Sequence, residues 1–235
     1  HTIKILIKTK DVLEKLVIND NFPYQNILSK ERSQSIFGIV LSLIKRNFKI
    51  FSIIKKINPD LLISTDASLA QLGWLLNIPR ITVLEDDYEI IKPLAILTYP
   101  FTSVIVCPNV CKVGRWNSKK IGYDGYMKLG YLHPKVFQPN PKIIKDIYDI
   151  DEDYVIIRLA RLTAHHDMGI KGISDSLLSD LINFFESRSL RILISSESEL
   201  GEKYMNYKMD INSSHMHHIL AGSKFFISDS QSMSV

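Results

Sequence analysis

The sequence holds only two cysteines, Cys107 and Cys111, in 235 residues. They stand four apart, with no second cysteine pair and no downstream Cys/His pair at zinc-finger spacing, which excludes a disulfide scaffold and a zinc finger. Reduced thiols are expected, as in a cytoplasmic protein. No apolar run reaches the roughly 18 to 20 residues that span a bilayer. The nearest, Ser33 to Ile44, is broken by Lys45 and Arg46. No block of Lys and Arg forms a nucleic-acid arm either, since 29 Lys/Arg stand against 25 Asp/Glu and leave a formal charge of only +4. That mild basicity suits a polyanionic ligand without pointing to nucleic acid.

What is present is a chain of 46% hydrophobic residues, enough for real cores, in which short β-rich runs alternate with helical periodicity. Such alternation is the pattern of parallel sheets with crossover helices. Strands are expected at Ile3 to Ile7, Tyr24 to Leu28, Leu61 to Ser64, Arg80 to Leu84 and Ser103 to Cys107, with helices at Asp11 to Asp20, Ile36 to Ile57 and Ala67 to Leu76. Prolines between Tyr131 and Lys142 interrupt every periodicity. After them come strands at Tyr154 to Arg158, Leu190 to Ser195 and Lys224 to Ser228, and helices at Ser174 to Ser187 and Ser213 to Ala221. The division expected is a Rossmann-like domain over residues 1–135, a linker and hinge over 136–150, and a second Rossmann-like domain over 151–235. Two such α/β domains would face a cleft at the carboxyl ends of their strands, where open α/β sheets hold ligands.

Chemistry concentrates after strands. Residues 158–172 bring Arg158, Arg161 and Lys171 as cations, Thr163 as a hydroxyl donor, and His165 and His166 as switchable donors, with Gly169 and Gly172 where backbone must bend. These are the groups a diphosphate needs, although a solvated cationic loop would read the same. Ser228-Asp229-Ser230, after a strand, either presents amides to a phosphate or caps a helix. The run Glu85-Asp86-Asp87-Tyr88-Glu89 offers Asp86, Asp87 and Glu89 as a general base, or else caps the next helix. Ser64-Thr65-Asp66 reads first as a cap. His215, His217 and His218 lack the neighbouring carboxylate or thiol that a zinc site wants, so no metal is expected. In the 36–57 helix, Ile36, Val40, Leu43, Ile44 and Phe48 recur at helical spacing beside Lys45, Arg46, Lys49, Lys55 and Lys56. Burial of that stripe on a sheet is the favoured reading, with an anionic membrane surface as the alternative.

Several segments together resemble a known family: Phe22-Pro23-Tyr24, Asn58-Pro59-Asp60, Ile78-Pro79, Asp86-Asp87-Tyr88-Glu89, Leu97-Thr98-Tyr99-Pro100-Phe101, Gly125-Tyr126, Tyr131-Leu132-His133-Pro134, Ala164-His165-His166-Asp167 with Gly169 and Lys171-Gly172, Ser195-Ser196-Glu197, and Asp229-Ser230 with Met233. Over essentially its whole length the chain is similar to domain-of-unknown-function family 354, whose members are GT-B-like and related in fold to UDP-N-acetylglucosamine 2-epimerases and glycosyltransferases. The resemblance implies an enzyme that binds a UDP-sugar as substrate with no required cofactor. It would be a glycosyltransferase or, alternatively, a nucleotide-sugar epimerase, and a non-catalytic binding or assembly protein of GT-B shape is the third reading. The resemblance adds Glu197, Asp229 and Ser230 to the nucleotide-contacting set and His166 to the acid/base candidates. The acceptor would be lipid-linked or a polysaccharide, with peripheral contact at the inner face of the membrane as one station.

Three departures stand out, namely His166 where the epimerases carry Arg, Gln231-Ser232 where they carry a glycine pair, and Lys128 where an acid is expected. The resemblance also implies elements before His1 and after Val235, so that both domains are incomplete in these 235 residues and this stretch by itself is expected to be inactive.

Overall fold

The structure, a computed structural model, describes residues 2–8, 13–28, 36–160, 172–229 and 231–234, with only the backbone element described for residues 28, 36–43, 231 and 232. The chain divides into two compact units, His1–Leu129 and Gly130–Val235. The first runs β1 (Ile5–Lys8), α1 (Leu13–Asn19), β2 (Tyr24–Leu28), α2 (Ile36–Ile57), β3 (Leu62–Ser64), α3 (Ala67–Leu75), β4 (Arg80–Val83), α4 (Lys92–Thr98), β5 (Val104–Pro108) and β6 (Lys120–Tyr123). All its strand pairs are parallel, β1 with β2 in one sheet and β3-β4-β5-β6 in order in another.

Local chemistry sets these boundaries. Asp66 takes an extended backbone and its carboxylate accepts from Ser68 N–H at 2.8 Å, capping α3 as the sequence suggests. At the far end Asn77 adopts a left-handed φ of 53°, and Ile78 N–H closes on the Gly73 carbonyl at 2.8 Å. The helix expected after the acidic run is α4, whose bounds the sequence does not mark, because it is seven residues long and its N-cap, Ile91, makes no side-chain bond. β6 was missed for a related reason. Its four residues include Gly122 and exposed Ile121, so no alternation is visible.

Two cores hold this unit. One joins Ile50 and Ile54 of α2 to Leu62 and Leu72, with Ile27 and Phe51 against them. The other joins Leu84, Ala95, Tyr99, Ile105, Cys107, Cys111 and Val113. The favoured burial of the Ile44 and Phe48 stripe is corrected here. Ile44 is 47% and Phe48 71% exposed, whereas Ile50 and Ile54 are 2% and 3% exposed. Of 22 residues in α2, 13 are apolar, so more than one stripe runs along it and helical spacing alone does not choose between them. Around the carboxyl end of α4, Lys119 Nζ donates to the carbonyls of Tyr99, Pro100 and Thr102 at 2.9, 3.0 and 2.8 Å. Arg80 adds Nη1 to the Ile78 carbonyl at 3.0 Å and Nε to the Phe101 carbonyl. Cations suit a helix end rich in unpaired carbonyls.

In the second unit α5 (Leu129–Leu132), which begins one residue before the division, leads to α6 (Pro141–Tyr148), β7 (Tyr154–Leu159), α7 (Asp175–Glu186), β8 (Arg191–Ser196), α8 (Met216–Gly222), β9 (Phe225–Ser228) and α9 (Gln231–Ser234). The sheet order is β8-β7-β9, all parallel. Alternate residues of the central strand serve opposite cores. Val155 and Ile157 pack with Leu178, Ile182 and Phe185 of α7. Tyr154 and Ile156 pack with Ile144 and Ile219. Both faces are covered, as a parallel sheet demands.

The span expected as a linker, 136–150, contains α6, and Ile144 and Ile150 belong to this second core. The prolines explain the misreading. Pro141 does not break a helix but opens one, at the first position, where a missing N–H costs nothing, and Asn140 caps it by accepting from Lys142 N–H at 3.1 Å.

Tyr99 supplies a test of the first unit's core. Its ring is fully buried and its hydroxyl has no hydrogen-bond partner among the described residues. Burial, with Cys107, Cys111 and Asp86 nearby, pushes its pKa up to about 12. Removing an unpaired buried hydroxyl relieves a desolvation penalty of about 1 kcal/mol or more. Tyr99→Phe is therefore expected to raise the thermal midpoint by roughly 3 °C. A lowered midpoint would mean that the hydroxyl is paired in solution.

Candidate functional site

The carboxyl ends of β7, β8 and β9 gather the most polar chemistry of the second unit. Parallel register sets Arg158 beside Ser195 on one side and Ser228 on the other. Its guanidinium donates from Nη1 to Ser195 Oγ at 2.7 Å and forms a direct ion pair through Nη2 with Glu197. Its Nε is buried and has no hydrogen-bond partner among the described residues. Asp229, just past β9, reaches back across the sheet. Oδ1 accepts from Ala160 N–H at 2.6 Å and Oδ2 from Ile173 N–H at 3.0 Å. One carboxylate thus holds the chain where it leaves β7 and where it returns ahead of α7.

Of the residues the sequence singled out for nucleotide contact, the structure brings Arg158, Glu197 and Asp229 to this one edge. Arg161, Thr163, His165, His166, Lys171 and Ser230 lie outside the described residues. That Arg158, at the end of a strand, could pair with a carboxylate is an alternative its position offers, but the partner, Glu197, was not legible, because it is 39 residues away and only the β7–β8 register brings them together.

In the first unit the acidic run follows β4. Asp87 Oδ1 accepts from Lys112 N–H at 2.7 Å, while Tyr88 N–H donates to the Lys112 carbonyl at 2.7 Å. The Asp87 carboxylate therefore staples the 85–91 turn to the segment after β5 and does not cap α4. Glu89 is exposed and pairs loosely with Lys92 at 3.5 Å. Asp86 is exposed and makes no hydrogen bond or ion pair among the described residues. Glu85, not singled out as a site residue, is the better-held acid. It accepts from Met127 N–H and pairs with Lys128 at 3.6 Å, and its carbonyl accepts from the Cys111 thiol at 2.9 Å. Lys128 is thus the partner of Glu85. Behind this turn Gly114, at a left-handed φ of 61°, lets the Tyr88 ring approach where a Cβ would stand 3.1 Å from it. Burial above all pushes the Cys107 and Cys111 thiols up, which keeps them protonated and inert.

His215, His217 and His218 hold neighbouring segments. The Tyr148 hydroxyl accepts from Asn212 N–H at 2.9 Å and shares a hydrogen bond with His215 Nδ1 at 3.1 Å. Asn140 N–H donates to His218 Nδ1 at 3.1 Å. His217 lies between the rings of Tyr131 and Phe137, with centroids at 5.5 and 6.0 Å. Among the described residues no group of three or more His, Cys, Asp or Glu could hold a metal ion. Two shallow grooves, one of about 360 Å³ at Lys4, Gln25 and Lys56 and one of about 420 Å³ at Phe137, Pro139 and His217, are lined by none of the candidate residues.

Two predictions follow from this geometry. Asp229→Ala leaves the amides of Ala160 and Ile173 without their acceptor, at a cost of about 1 to 3 kcal/mol. Hydrogen exchange at both amides should accelerate, less so in Asp229→Asn, which keeps one acceptor oxygen, and unchanged exchange would remove the clamp. Burial, then the neighbouring His218, pulls the His217 pKa below its usual value near 6.5. The folded chain therefore favours the neutral ring, and this contribution is full above that value and lost as pH falls through it. The thermal midpoint should drop between about pH 7.5 and about pH 5.5, with a smaller drop in His217→Phe.

No family profile and no curated protein matches the chain. Solved structures do. UDP-GlcNAc 2-epimerase from Neisseria meningitidis, bound to UDP-GlcNAc, superposes with a TM-score of 0.65 at 15% identity, over 94% of this chain and 68% of that one. A second UDP-N-acetylglucosamine 2-epimerase gives 0.62 at 14%, over 97% and 65%. A UDP-complexed protein of Arabidopsis thaliana gives 0.51 at 10%, over 97% and 67%. The chain thus spans about two thirds of the length of the proteins it matches. At such identities the likeness speaks to architecture alone, and with the parallel sheets it establishes an α/β fold of the GT-B type.

Proposed function

We propose that this chain binds a UDP-linked sugar through the strand ends of its second unit and, as a glycosyltransferase, passes the sugar to a lipid-linked or polysaccharide acceptor. We also propose, on the segments quoted above, membership of domain-of-unknown-function family 354. The observation that carries the reading is Arg158. Its guanidinium has five N–H donors, of which Ser195 and Glu197 occupy two, and its Nε has no partner among the described residues. A cation with donors to spare at the carboxyl end of a parallel strand suits an anionic ligand. The likeness in fold to proteins whose structures hold UDP-GlcNAc or UDP supports the choice of anion.

In a transfer, the bond between the anomeric carbon and the diphosphate oxygen breaks, and its electron pair leaves with UDP. The acceptor oxygen bonds to that carbon, and a base takes the acceptor's proton. Cations and backbone amides carry the leaving charge in this reading, with no step through a metal or a separate cofactor. Among the three acids after β4, Asp86 is the candidate base, since Asp87 is tied to Lys112 and Glu89 to Lys92. A second reading, epimerisation of the nucleotide sugar, is favoured by one observation: the two higher TM-scores quoted above belong to 2-epimerases. Incubation with UDP-sugars alone separates the two, because only an epimerase changes the sugar without an acceptor.

The decisive measurement is a calorimetric titration with UDP and UDP-GlcNAc. If Arg158 meets the diphosphate, Arg158→Ala lowers affinity roughly ten- to a hundredfold. Glu197→Gln should raise affinity, since it removes the carboxylate that competes for the same guanidinium. Unchanged affinity in both variants removes the diphosphate role. No binding of any nucleotide by the unaltered protein would favour a non-catalytic GT-B-shaped protein.

A further inference from the structure

No helix among the described residues is long and apolar enough to cross a membrane. Helix α2 has instead the make-up of one that lies on a membrane. Its 22 residues contain no Asp or Glu and five cations, Lys45, Arg46, Lys49, Lys55 and Lys56. Arg46 is engaged inside the unit, paired with Asp66 at 3.2 Å and donating to Ser68 Oγ at 3.0 Å. The four lysines are exposed and have no carboxylate partner among the described residues, Lys49 reaching only the Asn26 carbonyl at 3.1 Å.

The helix already has an inward face, through Ile50 and Ile54, which are 2% and 3% exposed. A second apolar stripe is left at the surface, with Ile44 at 47% and Phe48 at 71% exposed. At roughly 100° per residue, Lys45, Lys49 and Lys56 fall within about 40° of one another and about 100° from the middle of the Ile44–Phe48 stripe. One helix therefore carries an aromatic and aliphatic ridge beside a lysine row, separate from the face that builds the core.

We propose that the exposed face of α2 docks on the surface of an anionic lipid bilayer, with Phe48 and Ile44 entering the headgroup and acyl boundary and Lys45, Lys49 and Lys56 meeting lipid phosphates. The combination selects the partner. Nucleic acid would use the lysine row and leave Phe48 in water, whereas an uncharged apolar partner would leave uncompensated a helix that has no acid and four exposed lysines without a carboxylate partner among the described residues. A bilayer of anionic lipid satisfies both stripes at once, and the helix lies in its plane. The surface is independent of the nucleotide reading and would stand if that reading failed.

Co-sedimentation of the intact chain with vesicles tests it. Binding is expected to phosphatidylglycerol-containing vesicles, weakly or not at all to pure phosphatidylcholine, and to fall as salt rises. Lys45→Gln with Lys49→Gln, and separately Ile44→Ser with Phe48→Ser, should each weaken it by about tenfold or more. Both pairs are exposed, so an unchanged thermal midpoint serves as the control for folding. Equal binding to both vesicle types, no binding to either, or unchanged binding in the Phe48 variant would overturn the proposal. So would a dimer, seen by analytical ultracentrifugation, that is lost in that variant and whose formation excludes vesicles.

Discussion

The two-sided burial of β7 is the constraint on which the second unit depends. Tyr154 to Ile157 are all nearly inaccessible, with alternate side chains pointing into different cores, so the strand has no face on which to display function. Only its end remains. The parallel pairing of β8 and β9 on either side brings their carboxyl ends to the same edge, and Arg158, Ser195, Glu197 and Asp229 meet there although they are up to 71 residues apart in sequence. The same logic gathers the turns after β4, β5 and β6 in the first unit, where Glu85, Asp87, Lys112 and Lys128 interlock.

At these edges the acids spend much of their capacity on backbone. Asp66, Asp87, Glu85 and Asp229 all accept from main-chain N–H groups, and Lys119 and Arg80 cover main-chain carbonyls in return. A loop leaving a strand end has lost its ladder partners, and a buried amide without an acceptor is costly. A carboxylate with two oxygens can hold two such amides, as Asp229 does. Residues with the right chemistry for catalysis are thus also the right chemistry for loop anchoring, and this is why composition and position alone leave both roles open.

The sequence was most readable where local rules and tertiary demand agree. Periodicity predicted the bounds of β2 and α2 as they stand, and those of α3 and β7 to within one residue, because strand patterning and caps such as Asp66 act locally. It was least readable where one residue type serves opposite ends: Pro141 was read as a break and is a start. At the strand edge, family resemblance marked Glu197 and Asp229, but their partners follow from register, which no short window of sequence contains. The ion pair of Lys128 with Glu85 was hidden in the same way. A basic residue where an acid was expected is the second half of a pair whose first half lies 43 positions earlier.

Helix α2 shows how far that ambiguity reaches. With 13 apolar residues in 22, its composition supports several stripes, and the one that fits the helical pattern most visibly is not the one that the core uses. The buried choice is set by what stands opposite: Leu62, Leu72 and Ile27 form a surface that receives Ile50 and Ile54. Once that face is taken, Arg46 adds to the same rotation of the helix by reaching both Asp66 and Ser68. Ile44 and Phe48 are then held outward by contacts made elsewhere on the same helix, and their exposure is a consequence of packing rather than a local accident.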